Sequence, residues 1–131
     1  MNFILLLVLP RPVIMKLKLG GKVKKLYEHI SGIYMLESNL VNSYPYWIQQ
    51  NGDRAIWYDE IGKKWNLGHQ KYNGRNGWME ILGPFGNDKP PSQIFQHWKY
   101  YDNSWIEASH SDIIFEDLST CKNNFNSYIG L

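Results

Sequence analysis

The chain has 131 residues, of which 44% are hydrophobic and 20% charged, with a net charge of +2. These values are typical of one globular domain and exclude an intrinsically disordered chain. Six Trp, nine Tyr and five Phe give an aromatic share of 15%, which favours β-structure because large rings pack well on pleated sheets. The single cysteine, Cys121, cannot form an internal disulfide, which disfavours a small disulfide-rich secreted scaffold.

The first 31 residues are predicted to be an extension that precedes the domain body. Phe3–Leu9 is an apolar run too short to span a bilayer as a helix, so no transmembrane segment is predicted. This run is either part of a signal peptide within residues 1–20 or a strand or loose extension. The second interpretation is favoured because no Lys or Arg precedes the run and two prolines follow it. Met15 is an alternative start, and the cytoplasm is slightly favoured as the compartment.

A lysine-rich segment follows within the same extension. Lys16 and Lys18 alternate with apolar side chains, which predicts a solvated edge strand, and Gly20–Gly21 is a candidate turn that would close a hairpin. A helix over Lys22–Ile30 competes with that hairpin. Because the extension is basic and the remaining chain is slightly acidic, deletion of residues 1–22 is expected to leave the body folded.

The body, residues 32–118, is predicted to be mainly β. Short aromatic runs recur between turn signals, as in Ile33–Leu36, Lys64–Leu67 and Ile113–Glu116. This spacing predicts about six to seven short strands in a small antiparallel meander, barrel or sandwich. Residues 119–131 are expected to form a polar tail.

Asn51-Gly52 between two aromatic runs is the strongest hairpin signal in the chain. A two-residue loop pairs Ile48 with Ala55 and places Tyr46, Ile48, Ala55 and Trp57 on a face suited to the core. A three-residue loop would change these partners, and the two-residue loop is favoured.

The opposite face of this hairpin is the predicted binding surface. It carries flat rings beside amide and guanidinium groups, a mixture that is costly in a dry core and useful where a ligand supplies the missing partners. Trp78 follows a turn and is predicted to be exposed as well. The candidate ligand-binding residues are therefore Trp47, Gln49, Arg54, Tyr58 and Trp78.

The arrangement of these runs resembles a known group of modules. Val41–Trp47, Asn51–Asp53, Trp65–Gly68 and the closing Trp98–Trp105 region are similar to small Trp- and Tyr-rich β modules in uncharacterised proteins of protists and invertebrates. Those modules read Val-Asn-Gly-x-Pro, an aromatic hairpin, Trp-x-Ile-Gly and Trp-x-Tyr, whereas this chain has Ser43 and Leu67 at two of those positions. The resemblance covers roughly residues 32–116 and implies domain limits but no chemistry.

Catalytic motifs are not evident in the sequence. It has no nucleophile elbow, phosphate loop or zinc-protease motif, so neither an enzyme nor a cofactor or metal site is predicted. The leading hypothesis is a non-catalytic binding module for a carbohydrate or an extended peptide. The alternatives are a protein–protein adaptor without a small ligand and, less favoured because the body is acidic, a single-stranded nucleic-acid-binding domain.

Overall fold

The structure is a computed structural model that describes residues 11–75 and 78–120. Within these ranges the chain forms nine β-strands and one α-helix. The strands are β1 (Pro12–Leu19), β2 (Gly32–Leu36), β3 (Trp47–Gln49), β4 (Arg54–Asp59), β5 (Lys64–His69), β6 (Met79–Leu82), β7 (Lys99–Tyr101), β8 (Trp105–Glu107) and β9 (Ile113–Thr120). Helix α1 (Gly21–Tyr27) continues into a 3-10 helix at Glu28–Ile30, and further 3-10 helices lie at Gln70–Tyr72 and Pro91–Gln93.

All nine strands belong to one antiparallel sheet that curves into a half-barrel. The spatial order is β8-β7-β6-β5-β4-β3-β2-β1-β9, so strands β1 to β8 form a meander and β9 returns to lie beside β1. The curvature brings the two ends of the sheet towards each other, since the ring of Trp98, just before β7, lies 4.7 Å from that of Phe115 in β9. The predicted β-class is confirmed, but the described residues alone contain nine strands rather than six to seven.

The concave side of the sheet holds the core. Its large side chains come from almost every strand, and helix α1 adds Val23 while the 3-10 helix adds Ile30. The fully buried members include Met15, Leu17, Tyr34, Trp47, Ile56, Trp65, Leu67 and Ile81. Burying this many rings and branched chains is the main source of stability in a domain of this size.

Strand β1 is an inner strand of this sheet. Met15 pairs with Tyr34 of β2 on one side, and Leu17 pairs with Phe115 of β9 on the other. Both side chains are almost fully buried. The predicted boundary at residue 31 therefore does not separate this strand from the domain body.

The hairpin predicted at Gly20–Gly21 is wrong, because α1 begins at Gly21 with a φ of 54°. The competing helix over Lys22–Ile30 is closer to what is found. That helix would place Val23, Leu26 and Ile30 on one side. Val23 and Ile30 are buried, whereas Leu26 is 41% exposed.

Two sequence predictions fall at the ends of the described chain. Strand β9 continues to Thr120, so the tail predicted from residue 119 begins inside a strand, while Cys121 and the rest of that tail lie outside the described residues. The apolar run Phe3–Leu9 also lies outside them. Among the described residues, no helix has both the length and the apolar character needed to cross a membrane.

Candidate functional site

The five predicted ligand-binding residues separate into three places. Trp47 and Tyr58 lie in the core, with relative exposures of 0% and 5%. The prediction that these two rings occupy the less buried face of the hairpin is wrong. Whether any of the five residues contacts a ligand stays a prediction.

The hairpin register is the predicted one, but the face that points into the half-barrel is the opposite one. Ile48 pairs with Ala55 and Trp47 with Ile56, as a two-residue loop requires. Trp47 and Ile56 nevertheless point into the half-barrel, and the ring of Trp47 packs 5.5 Å from that of Trp65. The indole N–H of Trp47 donates to the carbonyl of Pro12 at 2.9 Å, so its polar atom is satisfied in the core.

The side chain of Gln49 links the 3-10 segment that follows α1 to the start of β4. Its amide nitrogen Nε2 donates to the carbonyls of His29 and Ser31 at 2.9 and 3.0 Å. Its oxygen Oε1 accepts the backbone N–H of Arg54 at 3.3 Å. Because its donors and its acceptor are used within the protein, Gln49 acts here as a structural clamp.

Arg54 lies beside this clamp in a cluster of charged side chains. Its Nε donates to Oε1 of Glu80 at 2.5 Å, and its Nη1 donates to Asp53. Nε2 of His69 lies 3.1 Å from Oδ2 of Asp53. The guanidinium therefore has a carboxylate on each side, which is the pairing that Arg geometry favours.

The two carboxyl groups of the cluster differ in acidity. Burial raises the pKa of Glu80, and the hydrogen bond and charge of Arg54 offset only part of that effect. Its second oxygen, Oε2, is buried without a hydrogen-bond partner in the described residues. Burial also opposes ionisation of Asp53, but the hydrogen bond and charge of Arg54 and the nearby His69 outweigh it and lower the pKa of Asp53. Burial therefore makes Glu80 bind a proton more tightly than a carboxyl group at the surface would.

Trp78 is the predicted site residue that is exposed, at 74% of its surface. It immediately precedes β6, next to residues 76–77, which lie outside the described ranges. Its backbone carbonyl approaches Gly68 of β5, where an added Cβ would lie 2.7 Å away. The main chain of Trp78 is therefore held against the sheet while its side chain faces solvent.

An exposed aromatic pair was not among the predicted residues. Tyr101 of β7 and Trp105 of β8 are directly paired across the hairpin, with ring centroids 5.4 Å apart in an edge-to-face arrangement. They are 37% and 39% exposed. Lys99 and Glu107, also paired and exposed, lie on the same outward face because strand side chains alternate. That alternation was readable in the sequence as every second residue of the hairpin.

The backbone under this pair is anchored to helix α1. The hydroxyl of Tyr27 donates to the carbonyl of Tyr101 at 2.7 Å. Nζ of Lys22 lies 2.6 Å from Oδ2 of Asp102, and the hydrogen bond and charge of Asp102 raise the pKa of Lys22. The turn itself closes through the N–H of Asp102 and the carbonyl of Ser104. The rings are thus presented from a hairpin whose position is set by tertiary contacts, a favourable condition for a binding surface.

The chain matches no protein-family model, and neither curated proteins nor solved structures give a significant match. The resemblance to small Trp- and Tyr-rich modules therefore stays a prediction. Among the described residues, no group of three or more His, Cys, Asp or Glu side chains lies close enough together to hold a metal ion. Any functional argument depends on the chain's own surfaces.

Proposed function

We propose that this protein is a non-catalytic binding module that holds a carbohydrate on the outward face of the β7–β8 hairpin. The observation that supports this most directly is the exposed pair Tyr101 and Trp105, flanked on the same face by Lys99 and Glu107. Large rings of a monomeric domain are normally buried, so two adjacent exposed rings in an ordered hairpin favour a binding role.

The chemistry of this face suits a sugar ring. The apolar C–H face of a sugar packs on an aromatic ring, while its hydroxyl groups need nearby donors and acceptors. Lys99 offers donors and Glu107 offers acceptors next to the rings. The edge-to-face angle of 72° between Tyr101 and Trp105 leaves the two rings far from coplanar, which favours one or two sugar units over a long flat chain.

An extended peptide is the competing ligand because β8 is an edge strand. The N–H of Ala108 donates to the carbonyl of Trp98, so by alternation the backbone groups of Trp105 and Glu107 point away from β7. A peptide could add a strand there by main-chain hydrogen bonds. The rings contribute nothing specific to such pairing, which is why the carbohydrate is favoured.

The test is a glycan array, followed by calorimetric titration of any glycan that binds. Trp105→Ala is expected to weaken binding about 5- to 150-fold, since aromatic contacts of this kind contribute on the order of 1–3 kcal/mol. The matched control is Phe85→Ala, which removes a ring that is 78% exposed and lies in the loop after β6. Trp78→Ala measures whether the other exposed indole also contacts the ligand.

A pair of edge variants separates the two ligand classes. Glu107→Pro removes an outward N–H that peptide pairing would use, whereas Glu107→Ala removes only the side chain, and proline is tolerated at such edges. A ligand whose binding survives Trp105→Ala but is lost in Glu107→Pro alone would be a peptide and would contradict the proposal. Absence of any bound glycan would equally contradict it and would favour the adaptor alternative.

A further inference from the structure

Two histidines far apart in the sequence are stacked at the surface of the barrel. His97 lies just before β7, and His110 lies in the turn between β8 and β9. Their ring centroids are 3.9 Å apart with an interplanar angle of 33°, and both residues are exposed. They form neither part of the core nor part of the Tyr101–Trp105 face.

The ring of His97 is oriented by the backbone. Its Nδ1 lies 2.7 Å from the carbonyl oxygen of Ala108, and a carbonyl can only accept, so Nδ1 carries the proton in this contact. In neutral imidazole this leaves the lone pair on Nε2. A metal-binding histidine typically has this arrangement, with one ring nitrogen donating to a carbonyl and the other free to bind the ion.

Strand pairing, not a chance rotamer, brings the second histidine to this place. The N–H of Ala108 donates to the carbonyl of Trp98 at 2.8 Å, which fixes the end of β8 against the segment that contains His97. The turn that carries His110 is closed by a hydrogen bond from the N–H of Asp112 to the carbonyl of Ser109 at 3.0 Å. Both imidazoles are therefore presented from backbone that is already ordered.

We propose that His97 and His110 together bind one divalent transition-metal ion, of the Cu²⁺ or Zn²⁺ type, with water in the remaining coordination positions. Imidazole nitrogen suits these borderline ions and not Mg²⁺ or Ca²⁺. Two imidazoles that share an ion at about 2.0–2.1 Å from each nitrogen have centroids roughly 4.5–5 Å apart. Binding thus requires the rings to turn out of their stack and to separate by about 1 Å, which exposed side chains achieve by rotation.

The test is isothermal titration of the full chain with CuCl₂, ZnCl₂ and MgCl₂, with Cys121→Ser in every sample so that the single thiol does not compete. We expect one Cu²⁺ per chain, weaker binding of Zn²⁺ and no binding of Mg²⁺. His110→Asn and His97→Asn should each weaken Cu²⁺ binding at least about tenfold, since each removes half of the protein ligands. Asn at position 97 keeps a donor for the Ala108 carbonyl, so it removes Nε2 selectively.

The matched control is His29→Asn, which changes an exposed histidine outside the pair. It is expected to bind Cu²⁺ like the parent, the chain that carries Cys121→Ser alone. A second test uses this parent: substoichiometric Cu²⁺ should broaden the ring proton signals of His97 and His110 before those of His29 and His69. Equal binding by the parent, His97→Asn and His110→Asn would overturn the proposal. So would broadening that begins at His29 or His69.

Discussion

Trp47 and Trp78 show how differently one residue type is used in this fold. Trp47 is fully buried, packs on Trp65 and donates its indole N–H to Pro12, whereas Trp78 is 74% exposed. Trp47→Ala is therefore expected to lower the free energy of unfolding by about 3–5 kcal/mol, because it leaves a cavity and an unpaired carbonyl. Urea denaturation followed by circular dichroism measures this.

Trp78→Ala is the matched control for that measurement, and a surface substitution of this kind is expected to change the free energy of unfolding by no more than about 0.5 kcal/mol. Equal losses in the two variants would mean that Trp78 is packed rather than exposed. A negligible loss in Trp47→Ala would remove Trp47 from the core.

The side chains of Trp47 and Tyr58 point in the direction opposite to the predicted one. The sequence gives the register of the β3–β4 hairpin, because Asn51-Gly52 and the flanking aromatic runs specify it. It does not say which face is inside, since Ala55, Ile56, Trp57 and Tyr58 are all buried. Burial on both faces removes the alternation that a sequence argument needs.

The indole of Trp57 is buried outside the core cluster and packs beside Gly68 of the neighbouring strand β5. An added Cβ at Gly68 would lie 3.4 Å from Cη2 of Trp57, which is ordinary van der Waals contact. Long-range contacts of this kind, not local propensity, decide which rings stay exposed.

The turn between β3 and β4 is closed by a side chain. The strand pairing ends at Ile48–Ala55, and the next backbone N–H, that of Arg54, donates to Oε1 of Gln49. Of the two central residues, Asn51 has a positive φ of 61°. Gly52 is required for a different reason, because an added Cβ would lie 2.1 Å from Oε1 of Gln49.

Gly52→Ala is accordingly expected to displace the Gln49 amide and to cost about 1–3 kcal/mol of unfolding free energy, the range for leaving buried polar groups unpaired. Gln49→Ala should cost a similar amount by removing the same bonds. The double variant should cost little more than either single variant, because both act on one set of contacts. A double-mutant cycle in urea measures this coupling, and full additivity would contradict it.

Two strands account for the miscount. Strand β8, at one edge of the sheet, has only three residues. The inner strand β1 has eight residues but was assigned to an extension because its segment is basic, whereas the body is slightly acidic. The lysines of β1 point outward, and Lys18 pairs with Glu116 of β9 at 3.1 Å while Met15 and Leu17 point inward. This alternation is visible in the sequence. Strand β9, with which β1 also pairs, lies about a hundred residues further along the chain, beyond the range of a local pattern.

Strand β1 joins the N-terminal and C-terminal strands of the sheet. It pairs with β2 on one side and with β9 on the other, so β9 has no other strand partner in the sheet order. The composition of the N-terminus predicts that residues 1–22 are dispensable, and the sheet predicts the opposite. Removing β1 exposes one face of the core and leaves the ladder groups of two strands unpaired.

A chain that lacks residues 1–20 is therefore expected to lose cooperative thermal unfolding and the near-ultraviolet circular dichroism of its buried tryptophans. The matched control is the full chain with Lys16→Ala and Lys18→Ala, which changes the charge of β1 but keeps its inward side chains and its ladder. This control should retain both signals, because an exposed ion pair such as Lys18–Glu116 contributes at most about 1 kcal/mol. Native-like near-ultraviolet bands and a cooperative melt in the truncated chain would show that β9 and β2 hold the half-barrel together without β1.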